Sequence, residues 1–291
     1  GNFVDSRRCW RMTRIFPHRS AALLCMGALL VAGCSEKAAP TRAEKEAAAS
    51  VPGAPLNGAA DVAAKEATAS KVEEKTDLIE FAYSYPVEAA RIAGLAAWLD
   101  NDRAVQRAAL VAAAERDRAA AAKEGFPYHA HSHLQSWQRV TDTPRFLSLS
   151  AEIGTYMGGA HGMQSFDTLV WDRNKATRLK PLDMFTSGAA FDKAANDDLC
   201  AGVERAKAAR GVEWNRDTDS VFGKCPVASA QTIWLGSSDG KKLDRLTIGI
   251  GPYEVGPYVE GSYRIDLPMS AALIHALKPE YRGDFRPATR G

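Results

Sequence analysis

No apolar run in this chain reaches the roughly 20 residues that a membrane-spanning helix needs. The stretch that comes nearest, Ala21 to Gly33, is too short. Aromatic residues are missing from the segment 35–76, which therefore cannot bury enough apolar surface to offset its chain entropy. Excess charge is missing too. The net charge is +2, and five arginines and one aspartate sit in residues 1–33, so the chain without them carries −2. That leaves no basic patch of the kind phosphate recognition requires, and nucleic acid is excluded as a partner. Internal repeats are absent.

What is present at the start has a clear pattern. Arg7, Arg8, Arg11, Arg14 and Arg19 precede the short apolar run, which ends in small residues, the arrangement of a secretory signal. The run closes as "LLVAGC", and this resembles the bacterial lipobox, in which Cys34 is lipidated and becomes the first mature residue. Met12 is a second candidate start. The expectation is a signal peptide over 1–33, a lipid anchor on Cys34 that attaches the protein to a membrane, and a disordered Ala/Lys/Glu-rich tether over 34–76. As a flexible coil, that tether reaches roughly 35 Å. Ser35 follows the anchor where an Asp would otherwise retain it, so the location expected is the cell envelope, as an outer-membrane lipoprotein facing the periplasm or the surface. With Cys9 and Cys25 lost and Cys34 acylated, Cys200 and Cys225 remain as one pair in an oxidising compartment. A bridge between them is expected, against the alternative of two buried thiols.

From Asp77 onward the pattern is that of an α+β fold, antiparallel sheets with packed helices in two small subdomains. "LIEFAYSYP" reads as a strand. Residues 87–123 read as an Ala-rich helix with a break at "DND", 100–102, and an end at Gly125 and Pro127. "YHAHSHLQSWQRV", "RFLSLSAEIGTYM" and "QSFDTLVWD" read as strands. In the second, Leu147, Leu149, Ala151 and Ile153 share one face. Ser187 caps a helix running to about Arg210, and Ser270 caps a short one near the C-terminus. "QTIWLGSSDGKKLDRLTIGI" reads as a hairpin turning near Asp239 and Gly240, and "GSYRIDLP" as a last strand.

Four stretches carry candidate chemistry. "HAHSH" places His129, His131 and His133 on one strand face. Imidazoles suit zinc or copper, but no carboxylate or thiolate follows in sequence to complete a set, and a polar strand face is the rival reading. "GSSDG" fits G-x-S-x-G around Ser238, yet a strand follows where a nucleophile elbow needs a helix. "PYEVGPYVEG" presents Tyr253 and Tyr258 in an ordered loop, either as a binding surface or as packing at a sheet rim. "TYMGGAHGMQSFD" puts His161 in a glycine-rich turn. Gly158 and Gly159 permit positive φ, and Gly162 leaves room beside the imidazole. His161 is either a local structural hydrogen-bonder or a base oriented by Asp167.

"RFLSLSAEIGTYMGGAHGMQSFDTLVWD…LKPLDMF" and "PYEVGPYVEGSYRIDLP" resemble the RsiV/PdaC-type extracytoplasmic domain family. Residues 146–291 look like its C-terminal domain (domain of unknown function 3298), and residues 77–145 like the smaller domain (number 4163) that often precedes it. Tyr156 to His161 is the most specific stretch. The resemblance implies an α+β extracytoplasmic module that binds rather than catalyses; in RsiV the equivalent region is a receptor for lysozyme. The chain lacks the T-F-D-D-G run of the deacetylase domain. The function expected is an envelope-anchored lipoprotein with a non-catalytic binding head for lysozyme-like enzymes or peptidoglycan. Its candidate binding residues are Tyr156, Gly158, Gly159, His161, Tyr253 and Tyr258, with no cofactor and no metal. The alternative is a small cell-wall hydrolase using His161 and Asp167.

Overall fold

A computed structural model of the protein describes residues 68–288 apart from 218. The signal, Cys34 and the tether up to residue 67 lie outside the described residues. The chain runs β1 (Thr68–Lys75), β2 (Ile79–Pro86), α1 (Val87–Ala90), α2 (Ala93–Glu124), β3 (His131–Asp142), β4 (Phe146–Tyr156), β5 (Met163–Asp172) and β6 (Thr177–Leu179). It continues through α3 (Gly188–Ala209), β7 (Thr232–Gly236), β8 (Arg245–Ile250), β9 (Tyr263–Pro268), α4 (Ala271–Ala276) and α5 (Pro279–Arg282). The first six strands form one sheet in sequence order, and β7–β8–β9 form a second. Mixed helices and mainly antiparallel strands make this an α+β fold.

Period-two alternation splits the first sheet into two faces. Ile79, Phe81, Tyr83 and Tyr85 of β2 and Leu147, Leu149 and Ala151 of β4 are buried with Leu95, Leu99 and Leu110 of α2. The opposite parity, Phe146 and Val170, packs with the second sheet and with Phe191, Leu199 and Val203 of α3. The layers therefore stack as α2, six-stranded sheet, three-stranded sheet, α3. The last contact is close: a Cβ on Gly202 of α3 would lie 2.2 Å from Cγ2 of Ile265 in β9. Thr168 Oγ1 donates to the Ile233 carbonyl (2.6 Å) and Trp234 Nε1 to the Asp167 carbonyl (3.0 Å), joining the two sheets. β3 and β4 pair in antiparallel register across residue 145, so the segments on either side of that position share one sheet.

Three local expectations change. Residues 68–75, read as tether, form the edge strand β1, paired with β2 from Lys75↔Glu80 to Thr68↔Pro86. Backbone pairing holds an edge strand without demanding apolar side chains, and composition therefore hides it. Here α2 adds a grip: the Arg107 guanidinium donates twice to Glu74 (2.6 and 2.9 Å), and Arg103 donates to Ser70 (3.1 Å). The "DND" triplet does not break the helix. Asp102 accepts from Tyr83 Oη (2.7 Å) and Asp100 from Tyr85 Oη (2.9 Å), so these carboxylates tie α2 to β2 and have no need to compete for helix backbone. The break falls earlier, at Arg91 and Ile92, and Gly125 closes α2 in the left-handed conformation, φ 75°. Finally, β2 and β3 pair in parallel, because α1 and α2 form the crossover that parallel neighbours need. The serine caps form as expected, Ser187 Oγ accepting from the Ala190 amide and Ser270 Oγ from that of Leu273. Cys200 of α3 is bridged to Cys225, Cα to Cα 5.4 Å.

Candidate functional site

β4 and β5 pair up to Thr155↔Met163, and residues 157–162 turn between them. Two of the glycines are required there. Gly158 has φ +83°, where a side chain is strained, and a Cβ on Gly162 would stand 2.8 Å from the Thr155 carbonyl oxygen. Gly159 has neither a positive φ nor a neighbour within 4 Å of a Cβ, so the expectation of positive φ there is corrected. A single left-handed residue suffices to reverse this tip.

His161 stands exposed at the tip. Its Nδ1 is 2.9 Å from the Gly162 carbonyl, which can only accept, so Nδ1 carries the proton. Nε2 then accepts from the Tyr253 hydroxyl at 3.2 Å. The imidazole lies flat on the ring of Tyr258, centroids 3.9 Å apart and planes 20° apart. The Tyr258 hydroxyl donates to the same Gly162 carbonyl at 2.7 Å. Tyr253 and Tyr258 come from the loop after β8, some 92 to 97 residues along the chain. Tyr253 adopts φ 70°, uncommon for a residue with a side chain and a form of strain that concentrates at functional sites. Tyr253 is 47% exposed, and Met157 (48%) and Met163 (43%) at the turn and Val259 (86%) in the tyrosine loop are exposed as well. Tyr156 ends β4 opposite Ser132, half-buried behind the tip.

The loop carrying the tyrosines is braced from inside. Val255 is buried in the second core. Glu260 accepts from Lys207 Nζ (2.5 Å) and from the Tyr263 hydroxyl (2.6 Å). Burial acts to raise the Glu260 pKa, and these two hydrogen bonds, with the positive charges of Lys207 and Arg210, outweigh it and hold the carboxyl below its usual range. The same carboxylate, together with burial, pushes the Tyr263 phenol up to about 12, burial being the larger cause.

The structure does not bring Asp167 to His161. Asp167 accepts from the Thr168 amide (2.7 Å) and lies on the α2 side of β5. Its burial, with the nearby charge of Asp102 acting the same way, raises its pKa. The three histidines of "HAHSH" also part company. His129 precedes the strand and is exposed. His131 is buried, its Nε2 3.4 Å from Asp117 of α2 and beside Gly158. His133 stacks on Phe81 and pairs with Gln135 (2.9 Å). Sequence spacing could not reveal Asp117, which the fold supplies from a helix. Among the described residues, no three His, Cys, Asp or Glu converge as a metal set. Ser238 sits in the β7–β8 turn, bonded to Asp244 and to Arg286 (2.8 Å), which occupies its hydroxyl structurally. Lys207 and the two exposed methionines carry no sequence signal; a lysine at 2% exposure is recognised only once packed.

A sheet crossed by one long helix and backed by a second sheet and a second helix is an arrangement with solved counterparts. A Bacteroides fragilis protein of the DUF3298 family superposes with a TM-score of 0.50 at 17% identity, covering 75% of this chain and 95% of that one. A Pseudomonas aeruginosa DUF3298 protein aligns at 16% identity over 76% of this chain and 96% of its own, TM-score 0.43. No curated protein matches by sequence. Residues 72–164 match the family described as deacetylase PdaC, from β1 through the tip that bears His161. Residues 72–164 are thus similar to a PdaC-type domain, and the chain shares the fold of a DUF3298-family protein.

Proposed function

We propose that the protein is a lipoprotein anchored in the cell envelope through Cys34, at the outer membrane, whose head binds a partner without chemically transforming it. The binding surface is the β4–β5 tip together with Tyr253 and Tyr258, and the partner is a lysozyme-like enzyme. One observation carries this reading: exposed His161 and Tyr253 interlock with half-buried Tyr258 into an aromatic surface, and the turn that bears His161 is bounded in sequence by exposed Met157 and Met163. Tyrosine supplies large contact area at low entropic cost, and methionine adapts its shape to a partner. The hydrolase reading is weaker because both ring nitrogens of His161 are engaged within the cluster and Asp167 is bonded elsewhere.

The test uses the full-length protein, hen egg-white lysozyme and purified peptidoglycan. Tyr253→Ala and Tyr258→Ala should each weaken lysozyme binding by about tenfold or more, the loss typical of truncating an interface anchor. Binding to peptidoglycan alone would move the partner to the glycan. Release of soluble fragments from peptidoglycan, abolished by His161→Ala in a protein that still melts normally, would replace binding with hydrolysis. Cys34→Ser should shift the protein from the membrane to the soluble fraction; an unacylated N-terminal peptide in the wild type sinks the anchor.

A further inference from the structure

Lys207 has no part in the exposed cluster, yet it reaches directly beneath it. The side chain projects from α3 at 2% exposure. Its ammonium donates to the Val255 carbonyl at 2.8 Å and to Glu260 at 2.5 Å, two points that bracket Tyr258 in the chain. Just past the end of α3, its C-cap residue Arg210 donates to the carbonyls of Glu260 (2.7 Å) and Ser262 (2.9 Å). Trp214 and Tyr263 place their rings 6.0 and 5.5 Å from the ammonium, closing it off from water. Gly256 belongs to the same device. A Cβ there would stand 2.4 Å from the Glu260 carboxylate, so the chain must be bare for Glu260 to fold back onto Lys207.

A buried ion pair is a poor way to stabilise a core, because desolvation cancels much of the attraction and apolar side chains of similar volume often serve as well. What the pair does supply is direction. A lysine has three donors, and here two of them are spent on the loop that carries Tyr253 and Tyr258. We infer that Lys207 is the positioning residue of the binding surface: through Val255 and Glu260 it holds Tyr253 at positive φ and Tyr258 flat against His161 before any partner arrives. The inference rests on reading that surface as the binding site. Preorganisation of this kind strengthens binding by removing the ordering cost from the association step.

The experiment compares wild type, Lys207→Met and the double variant Lys207→Met/Glu260→Gln, all full-length. The double variant leaves no orphaned carboxylate and guards against simple misfolding. Three quantities are read: the intraresidue amide–Hα cross-peak of Tyr253, strong only at positive φ; hydrogen exchange of the amides in 252–262; and affinity for hen egg-white lysozyme. The double variant should melt cooperatively, lose the strong Tyr253 cross-peak, exchange its loop amides faster by about tenfold or more, and bind lysozyme about tenfold more weakly. An unchanged cross-peak with unchanged loop exchange overturns the inference. So does a double variant that no longer folds, which would make Lys207 a core residue. Tyr253→Ala separates the two claims. If it leaves lysozyme binding intact, the surface reading fails, while the cross-peak and exchange still decide whether Lys207 sets the loop.

Discussion

Removing the Cys200–Cys225 bridge tests how the second core is held. The cysteines are 25 residues apart, so reduction or a Cys200→Ser/Cys225→Ser variant frees a loop of that length in the unfolded chain. Loop-closure entropy for such a loop amounts to about 3.5 kcal/mol at 25 °C. The native side offers little to set against that figure. Among the described residues between α3 and Cys225 there is no regular element, and Trp214, half-buried, donates to the Phe222 carbonyl at 2.7 Å. For a folded unit of this size each kcal/mol moves the midpoint by roughly 2–4 °C, so the variant should melt roughly 7–14 °C lower. Calorimetry of the full-length variant and of wild type, with and without reductant, measures it. A loss below about 3 °C would refute the reasoning, because it would mean that the unfolded loop is already constrained or that the bridge strains the native state by a compensating amount.

The remaining predictions concern the tip and the carboxylates. Gly158→Ala should cost about 1 kcal/mol for its positive φ, and Gly162→Ala about 1–3 kcal/mol because the Thr155 carbonyl must move; Gly159→Ala should stay within about 0.5 kcal/mol. Urea midpoints for the three variants give the order, and a Gly159 variant as damaging as the others would contradict the backbone described here. Asp167→Asn should raise the melting temperature at neutral pH. Burial lifts the Asp167 pKa above 3.8, so its charged form opposes folding; the gain should vanish as pH falls through the raised pKa and wild type takes up its proton. Glu260, Asp172 and Asp244 carry the opposite sign. Their pKa values are lowered despite burial, by Lys207 and Tyr263, by Arg145, and by Ser238 and Arg286 respectively. Their contribution is complete above the unfolded values of 4.5 and 3.8 and is lost as pH falls through the lowered folded values, so Glu260→Gln should melt below wild type at neutral pH and the gap should narrow in acid; a variant that melts with wild type at neutral pH contradicts this.

Much of the candidate site was legible in pieces. The tyrosine loop and the histidine turn both stand out in sequence, the first by its paired Gly-Pro breaks, the second by its glycines. Their meeting does not. His161 pointed, within its own segment, to Asp167 as a partner, since local sequence offers only local neighbours. Likewise "DND" has the composition of a helix break, and only the hydroxyls of Tyr83 and Tyr85 show why it sits inside a helix.

The sequence by itself determined the strands whose faces alternate, such as Leu147, Leu149 and Ala151, the serine caps of α3 and α4, the hairpin turns and the pairing of the last two cysteines. Each of these depends on residues a few positions apart, except the cysteine pair, which follows only from the expected loss of Cys9 and Cys25 and acylation of Cys34. The tertiary structure decided the parallel β2–β3 pairing, the recruitment of β1 as an edge, the burial of Lys207, and the closure of Tyr253 and Tyr258 over His161. Those contacts join positions tens of residues apart. They follow from how two sheets and two helices exclude water together, a property of the whole packed chain that no local pattern encodes.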